Sequence, residues 1–302
     1  MKFTVDSALS QSDSLSTVLA AYYELTKPGI TFLVLASMAI GFFLGSTNGI
    51  NYVTLLNAVI GTFLIASGTS AYNQYIERDL DKLMLRTRKR PLPMHRVGPT
   101  NAFLFSTFLM LIGLGYLILT VNIVAGFISA MTSILYLGFY TPLKRVSFIN
   151  VFIGAIPGAL PPVGGWAAAT GHLDNIGLWI LFGIVFLWQI PHVVAIAWLC
   201  NDDYERAGFH MLPVKDQNGL WSTATIMSCL ILLIPVSIAL YTFHINGMIY
   251  LAGAVLSGLV FLLYGIFFML DRSKLNAKKL MFASLFYLPL VWISILIDRL
   301  IA

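Results

Sequence analysis

Long apolar runs alternate with short polar segments along almost the whole chain. Each apolar run has about 20 residues, the length at which an α-helix crosses the hydrocarbon core of a bilayer. The runs cover residues 28–46, 52–72, 100–120, 121–142, 148–169, 175–199, 222–243, 247–270 and 280–301. The third and fourth are contiguous and would be about 63 Å long as one helix, so the chain must turn back near Asn122. The pattern predicts an all-α, polytopic membrane protein, a bundle of nine transmembrane helices.

The composition excludes a water-soluble protein. Hydrophobic residues make up 58% of the 302 positions and charged residues only 10%, whereas a soluble domain carries about 25% charged residues. Cys200 and Cys229 lie in or beside apolar runs without metal-ligand spacing, and we expect neither a disulfide nor a metal site from them. The sequence has no P-loop motif, and we expect no nucleic-acid partner.

The basic residues are segregated to one side of the predicted membrane. If the N-terminus is cytoplasmic, all of the 18 lysines and arginines except Arg299 fall in inner segments. Residues 1–20 lack the apolar core of a secretory signal and the arginines of a mitochondrial presequence. We therefore expect a cytosolic tail at 1–20 and a nine-helix domain at 21–302 in a bacterial plasma (inner) membrane. A processed organellar protein is the alternative.

Two inner segments, 73–99 and 200–221, stand apart because they are rich in acidic residues. They follow the second and the sixth predicted helices. The offset of four helices predicts two similar four-helix halves followed by a ninth helix.

The segment 73–99 opens on a periodic set of oxygen donors. If the second helix continues inward, Asn73, Glu77 and Asp81 are spaced four residues apart and form one stripe, whereas Asp79 points elsewhere. Carboxylates and an amide without His or Cys suit a hard cation such as Mg²⁺, which shares its coordination shell with substrate phosphates. Taken alone, the same spacing is also typical of a solvated helix end with local ion pairs.

The segment 200–221 adds a second acidic cluster at the equivalent end of the sixth helix. It contains Asp202, Asp203 and Glu205. Two clusters that face each other are able to hold Mg²⁺ around one diphosphate, which favours a functional site over a solvated helix end. The basic run from Arg86 to Arg90 lies between them; it anchors the topology and supplies cations for a diphosphate.

Two predicted helices carry residues that are unusual inside a membrane. His192 lies in the sixth helix beside Pro191 and near Trp188, and three interpretations stay open: a packing residue, a substrate contact or an axial haem ligand. If that helix continues to Asp203, eleven residues further on, the two side chains share a face roughly 16 Å apart. The fifth helix has three prolines among repeated glycines, which predicts a distorted helix or close packing.

These residues resemble the signature of the intramembrane prenyltransferases of the ubiquinone-biosynthesis superfamily. In that signature Asn-x3-Asp-x3-Asp follows the second helix, and here Glu77 takes the middle place. The second motif is shortened to Asp203-Tyr204, and Asp202 stands where a lysine is often seen. Longer strings resemble the haem-directed branch of the superfamily: Leu25-Thr26-Lys27-Pro28, Glu77-Arg78-Asp79-Leu80-Asp81, Arg90-Pro91-Leu92, Tyr140-Thr141-Pro142-Leu143-Lys144-Arg145, Trp188-Gln189-x-Pro191-His192 and Asp203-Tyr204-x-x-Ala207-Gly208.

The resemblance implies an enzyme that transfers the farnesyl group of farnesyl diphosphate to the vinyl group of haem b, which gives haem O. It implies Mg²⁺ as cofactor, a site that faces the cytoplasm, the lipid bilayer as surroundings, and haem-pathway or oxidase-assembly proteins as candidate partners. The implied catalytic and metal-binding residues are Asn73, Glu77, Asp81 and Asp203, with Asp202 as a further ligand; it stays open whether Asp202 or Glu205 assists Asp203. The implied substrate-binding residues are Lys27, Arg86, Arg90, Lys144, Trp188, His192 and Arg206.

Two alternatives remain at this point. The first is a prenyltransferase for a different acceptor, such as 4-hydroxybenzoate or a chlorin. The second is a non-catalytic haem or lipid transporter. Most transport folds place their polar residues at the bilayer midplane, which disfavours the transporter because the acidic clusters here lie in inner loops.

Overall fold

Nine membrane-spanning helices dominate the described part of the chain. The computed structural model describes residues 15–47, 49–216 and 218–301, and within these ranges it contains helices and no strand. The helices are α1 (Leu15–Leu25), α2 (Pro28–Gly45), α3 (Tyr52–Asp81), α4 (Pro99–Thr120), α5 (Ile123–Ile134), α6 (Thr141–Leu143), α7 (Asn150–Thr170), α8 (Ile176–Leu199), α9 (Asn201–Arg206), α10 (Leu212–Lys215), α11 (Leu220–Thr242), α12 (Met248–Leu270) and α13 (Lys274–Ile301). A π-helical segment, Leu135–Tyr140, joins α5 to α6, and the three together make one span. The prediction of nine spans is confirmed for the described residues.

Asparagine side chains cap the N-termini of spans at the end opposite the acidic segments. Asn51 accepts hydrogen bonds from the backbone N–H groups of Val53 and Thr54, each at 3.1 Å, and so caps α3. Asn122 does the same for α5 through Ala125, at 2.8 Å. Such caps satisfy the N–H groups that have no partner inside the helix. The predicted turn near Asn122 is confirmed, because the chain reverses between α4 and α5 at this residue.

The spans pack as two groups joined through α7 and α8. In the first group α2, α3, α4 and α5 contact one another in chain order, and α7 packs against both α2 and α5. In the second, α8, α11, α12 and α13 form a closed set of neighbours. In this packing α13 closes the second group, and α7 joins the two groups through its contacts with α2, α5 and α8.

Close backbone contact between α2 and α7 explains one glycine on each of these helices, Gly41 and Gly165. A Cβ atom at Gly165 would overlap the backbone oxygen of Met38, and one at Gly41 would overlap that of Pro162. Glycine is the residue that permits such an approach in membrane helices. Since α7 remains a continuous helix despite its prolines, close packing is the confirmed outcome.

Several segments that flank the spans are helical. Helix α1 crosses the predicted boundary at residue 20, and the rest of the predicted tail, residues 1–14, lies outside the described residues. Helix α3 continues to Asp81, nine residues beyond its apolar run, and so carries the first motif. The segment 200–221 contains two short helices, α9 and α10.

Candidate active site

The first motif forms a buried stripe of oxygen donors on the inner end of α3. Asn73, Glu77 and Asp81 are 1%, 5% and 0% exposed. Because α3 is helical through Asp81, their four-residue spacing puts them on one face, and the predicted continuation of this helix is confirmed. Asp79 lies on another face, with 68% of its side chain exposed and Lys82 as its ion-pair partner at 2.9 Å.

Each member of the stripe is held by its own cation. Lys27 Nζ donates to Asn73 Oδ1 at 2.9 Å, and Lys144 Nζ donates to Glu77 Oε1 at 2.7 Å. Arg90 Nη1 donates to both carboxylate oxygens of Asp81, each at 2.8 Å; these three cations come from three separate segments of the chain. A buried carboxylate without a partner is costly, so these pairs stabilise the charged stripe.

The two lysines sit in different electrostatic environments. Burial, and after it the nearby Arg90 guanidinium, lowers the pKa of Lys27 to about 7. Burial also acts to lower the pKa of Lys144, but the adjacent Glu77 carboxylate outweighs it and raises that pKa above the usual range. Lys144 is therefore firmly cationic, whereas Lys27 gains its proton more readily when further negative charge approaches.

A π-helical segment places Lys144 over this stripe. Leu135–Tyr140 is wound as a π-helix, a feature frequent at functional sites. It is followed by Thr141, whose hydroxyl donates to Tyr136 O at 2.8 Å and accepts from Asn73 Nδ2 at 3.3 Å. Lys144 Nζ then lies 4.5 Å from the centre of the Tyr140 ring, a cation–π contact that adds to its pairing with Glu77.

Asp203 of the second motif clamps the turn that follows the first. Its carboxylate accepts hydrogen bonds from the backbone N–H groups of Leu85, at 3.0 Å, and Arg86, at 3.2 Å, and it pairs with Arg206. Burial acts to raise the pKa of Asp203, but these backbone hydrogen bonds and Arg206 hold it below its usual range. The structure thus brings the two acidic segments together, as the sequence predicts.

The other polar residues of the 200–206 segment are arranged around this clamp. Arg86 Nη2 donates to Tyr204 Oη at 3.2 Å, and the guanidinium lies 5.7 Å from the centre of that ring. The side chain of Asp202 is 70% exposed and pairs with Lys274 of α13 at 3.3 Å. It therefore takes no part in the hydrogen bonds around the Asp203 carboxylate. Glu205 is also exposed, and the charged neighbour of Asp203 is Arg206 rather than either acid.

His192 and Trp188 form a polar bridge between α8 and α13. His192 Nδ1 is 2.6 Å from Ser284 Oγ, and Trp188 Nε1 donates to Ser284 O at 2.7 Å. The two rings are stacked with their centres 5.3 Å apart. The prediction that His192 and Asp203 lie on one continuous helix is wrong, because α8 ends at Leu199 and the backbone leaves the helical conformation at Cys200 before α9 begins.

Known proteins share both the sequence pattern and this architecture. A sequence profile described as the UbiA prenyltransferase family matches residues 34–288, most of the chain. The chain belongs to that family. A protoheme IX farnesyltransferase of Solibacter usitatus is 44% identical over 92% of this chain and 98% of its own, and one of Salinibacter ruber is 40% identical over the same shares.

Solved structures of the UbiA family have the same fold. A digeranylgeranylglyceryl phosphate synthase structure matches with a TM-score of 0.79 at 19% identity, over 94% of this chain and 99% of the other. The structure of a UbiA homologue from Archaeoglobus fulgidus bound to DMAPP and Mg²⁺ matches with a TM-score of 0.65 at 15% identity, over 91% and 98%. At these identities the likeness concerns the fold.

The oxygen donors of this UbiA-family protein suit a metal ion that is shared with a phosphate ligand. Carboxylate and amide oxygens are the donors that Mg²⁺ takes. Among residues 15–47, 49–216 and 218–301, no group of three or more His, Cys, Asp or Glu side chains is close enough to form a site from protein acids alone.

Two polar residues of this UbiA-family site, Ser284 and Asn150, belong to no sequence motif. Ser284 holds both His192 and Trp188. A polar residue within a predicted span is a signal that a partner lies on another span, and it applies to Ser284. Asn150, fully buried where α7 begins, donates to His210 O at 3.0 Å and links α7 to the segment 200–221, which sequence spacing does not reveal.

Proposed function

We propose that this protein transfers the farnesyl group of farnesyl diphosphate to the vinyl group of protohaem IX, which gives haem O and diphosphate. The observation that carries the proposal is the buried stripe of Asn73, Glu77 and Asp81, in which each residue faces a separate cation. The acceptor follows from the relatives described as protoheme IX farnesyltransferase, which match at 36–44% identity over most of the chain.

The reaction breaks the C1–O bond of farnesyl diphosphate, the π bond of the vinyl group and one O–H bond of water, and it forms one C–C and one C–O bond. The C1–O bond of farnesyl diphosphate breaks, and the diphosphate leaves with the electron pair. The terminal vinyl carbon of the haem bonds to the farnesyl C1, and the positive charge moves to the vinyl carbon attached to the ring. A water molecule adds there and loses a proton, which leaves the hydroxyl group. This sequence needs stabilisation of the leaving group and does not need a covalent nucleophile on the protein.

The proposed diphosphate ligands are the cations around the stripe and Asp203. Lys27, Lys144 and Arg90 contact the stripe, Arg206 pairs with Asp203, and the Arg86 guanidinium contacts the neighbouring Tyr204. A diphosphate would compete for these same cations, and Asn73, Glu77 and Asp81 would then offer their oxygens to a metal ion. Arginine is well suited to this exchange because its planar fork matches phosphate as well as carboxylate.

The metal ion of the proposal is Mg²⁺, held by Asn73, Glu77, Asp81 and Asp203. When bound, it withdraws charge from the leaving diphosphate. Support comes from the oxygen-only donor set and from the fold it shares with a UbiA homologue solved with DMAPP and Mg²⁺. Asp202 is left out of the set because it is exposed and paired with Lys274.

The proposed acceptor contact lies at the bridge between α8 and α13. Ser284 occupies Nδ1 of His192, so a contact with haem would be made through Nε2. The indole of Trp188 is fixed by its hydrogen bond to the same serine, and its stacking on His192 fixes the plane of both rings. Two preorganised flat rings suit a flat macrocycle.

The proposed location is a bacterial plasma membrane with the site facing the cytoplasm. In the described part of the chain, every lysine and arginine except Arg299 belongs to the segments at the span ends that also carry the two acidic segments. Excess positive charge marks the cytoplasmic side of a membrane protein. Farnesyl diphosphate would therefore reach the site from the cytoplasm and from the adjacent leaflet.

Purified protein in lipid vesicles, supplied with farnesyl diphosphate and Mg²⁺, tests the proposal. Haem b is expected to yield haem O and release diphosphate, whereas 4-hydroxybenzoate and a chlorin are expected to yield no prenylated product. Transfer to one of these instead of haem would assign another acceptor. Binding of haem without release of diphosphate would support a transporter and overturn the enzyme.

A further inference from the structure

Helix α1 has two apolar faces, and the described residues cover only one of them. Ala21 and Leu25 are fully buried against α3 and α4, and the Tyr22 ring lies 4.9 Å from that of Phe105. The other face carries an apolar stripe at four-residue spacing that is largely exposed. We call it the outer stripe of α1; it consists of Leu15, Leu19 and Tyr23, exposed by 75%, 60% and 64%.

The residues that α1 touches fix its depth in the membrane. Phe105 lies six residues inside α4, about 9 Å along the helix axis. Helix α3 has 30 residues and so extends about 15 Å beyond a hydrocarbon core of about 30 Å. Ala71, which packs with α1, is ten residues from the inner end of α3, about 15 Å. Helix α1 is thus level with the inner boundary of the hydrocarbon.

Helix α1 is not a continuation of the first span into water. Lys27 has a left-handed backbone conformation, φ 48° and ψ 62°, and this residue separates α1 from α2. With 11 residues, α1 is about 16 Å long and too short to cross the bilayer. It lies beside the inner ends of α3 and α4, where the surrounding apolar phase is lipid.

We propose that α1 is an interfacial helix whose outer stripe inserts into the lipid of the leaflet that holds the active site. Leucines buried at the headgroup boundary, with a tyrosine whose hydroxyl reaches the polar layer, are typical of such helices. The contact also bears on the site, because the last carbonyls of α1 are held by α3. Gln74 Nε2 donates to Leu25 O at 3.0 Å, next to Asn73 and two residues before Lys27.

Single cysteines in the full chain test this contact without dependence on the chemistry of the site. Leu19→Cys lies in the outer stripe, and Ala20→Cys is a matched control on an exposed neighbouring face. In opened membrane vesicles, a water-soluble maleimide is expected to modify Leu19→Cys at least about tenfold more slowly, because a thiol in apolar surroundings resists ionisation. Peptide mapping separates these sites from Cys200 and Cys229. Equal rates at the two positions would overturn the proposal.

A second measurement identifies what covers the stripe. A phospholipid with a diazirine on its acyl chain, activated in vesicles of the unmodified protein, is expected to leave adducts on Leu15, Leu19 or Tyr23. Slow maleimide labelling without these adducts would mean that protein covers the stripe, and would overturn the lipid contact. Disulfide-linked dimers of Leu19→Cys would then assign that protein as a second copy of the chain.

Discussion

Arg90 Nη1 donates to both carboxylate oxygens of Asp81 at 2.8 Å, and Asp81 is fully buried while Arg90 keeps 23% of its side chain exposed. The accessible partner is therefore the cation, and it is the member of the pair that a ligand reaches first. Loss of one partner from a buried pair leaves an uncompensated charge. Asp81 accordingly belongs both to this buried pair and to the proposed metal site.

Asp81→Asn is expected to lower turnover by about 10²-fold or more, the scale of loss when a preorganised electrostatic group is removed. Asp79→Asn is the matched control: its side chain is 68% exposed and paired with Lys82, so turnover should change little. Steady-state release of diphosphate measures both, with circular dichroism as a check on folding. Equal losses in the two variants would contradict the role of the buried stripe.

Asp203→Asn is expected to reduce turnover by about 10²-fold or more, because its carboxylate accepts two backbone N–H groups and pairs with Arg206. An amide cannot accept all three hydrogen bonds with full strength. Asp202→Asn changes the neighbouring residue in an exposed position and should leave turnover near that of the parent protein. A larger loss in Asp202→Asn than in Asp203→Asn would show that the clamp was assigned to the wrong acid.

Removal of divalent metal with EDTA is expected to abolish diphosphate release, and Mg²⁺ is expected to restore it. The structure adds a finer expectation, because every residue of the stripe already has a cationic partner. Mg²⁺ alone should raise the melting temperature of the protein little, whereas Mg²⁺ with diphosphate should raise it clearly. The reason is that the folded protein is expected to bind the metal ion and the diphosphate only together. Full turnover in a metal-stripped sample would refute the proposed metal site.

His192→Ala is expected to weaken haem binding and leave the affinity for farnesyl diphosphate unchanged, because His192 pairs with Ser284 rather than with any residue of the stripe. Changes of the Soret band on titration with haem measure the first quantity. His172→Ala, at an exposed histidine between α7 and α8, is the control. His192→Gln keeps a hydrogen-bonding group, so activity without the spectral change would show that ligation occurs and the chemistry does not need it. Unchanged haem affinity, spectrum and rate in His192→Ala would return this residue to a packing role.

Gly165→Ala is expected to destabilise the protein by about 1–3 kcal/mol, the usual cost of overpacking, because its Cβ would meet the backbone of Met38. Gly164→Ala is one residue away in the same helix, and its Cβ would come no closer than 3.4 Å to Ile128. Thermal unfolding in detergent compares the two. A similar melting temperature for both variants would contradict the close approach of α2 and α7.

The sequence predicted the helix that carries the first motif correctly and the helix from His192 to Asp203 wrongly, for one physical reason. Asn73, Glu77 and Asp81 share a helix that continues without interruption, so a period of 3.6 residues is enough to place them together. The same extrapolation from His192 to Asp203 does not hold, because α8 ends at Leu199 and Cys200 is not helical. No apolar pattern marks this interruption.

The sequence by itself determined the nine spans, the buried helix face of the first motif and the side of the membrane that carries positive charge, because these follow from hydrophobicity and local periodicity. Only the tertiary structure decided which cation serves which oxygen. Lys27 is 46 residues from Asn73, and Lys144 is 67 residues from Glu77. Such a pairing depends on how whole helices are positioned relative to one another, and the charges alone are equally compatible with other partners among the basic residues of the inner segments.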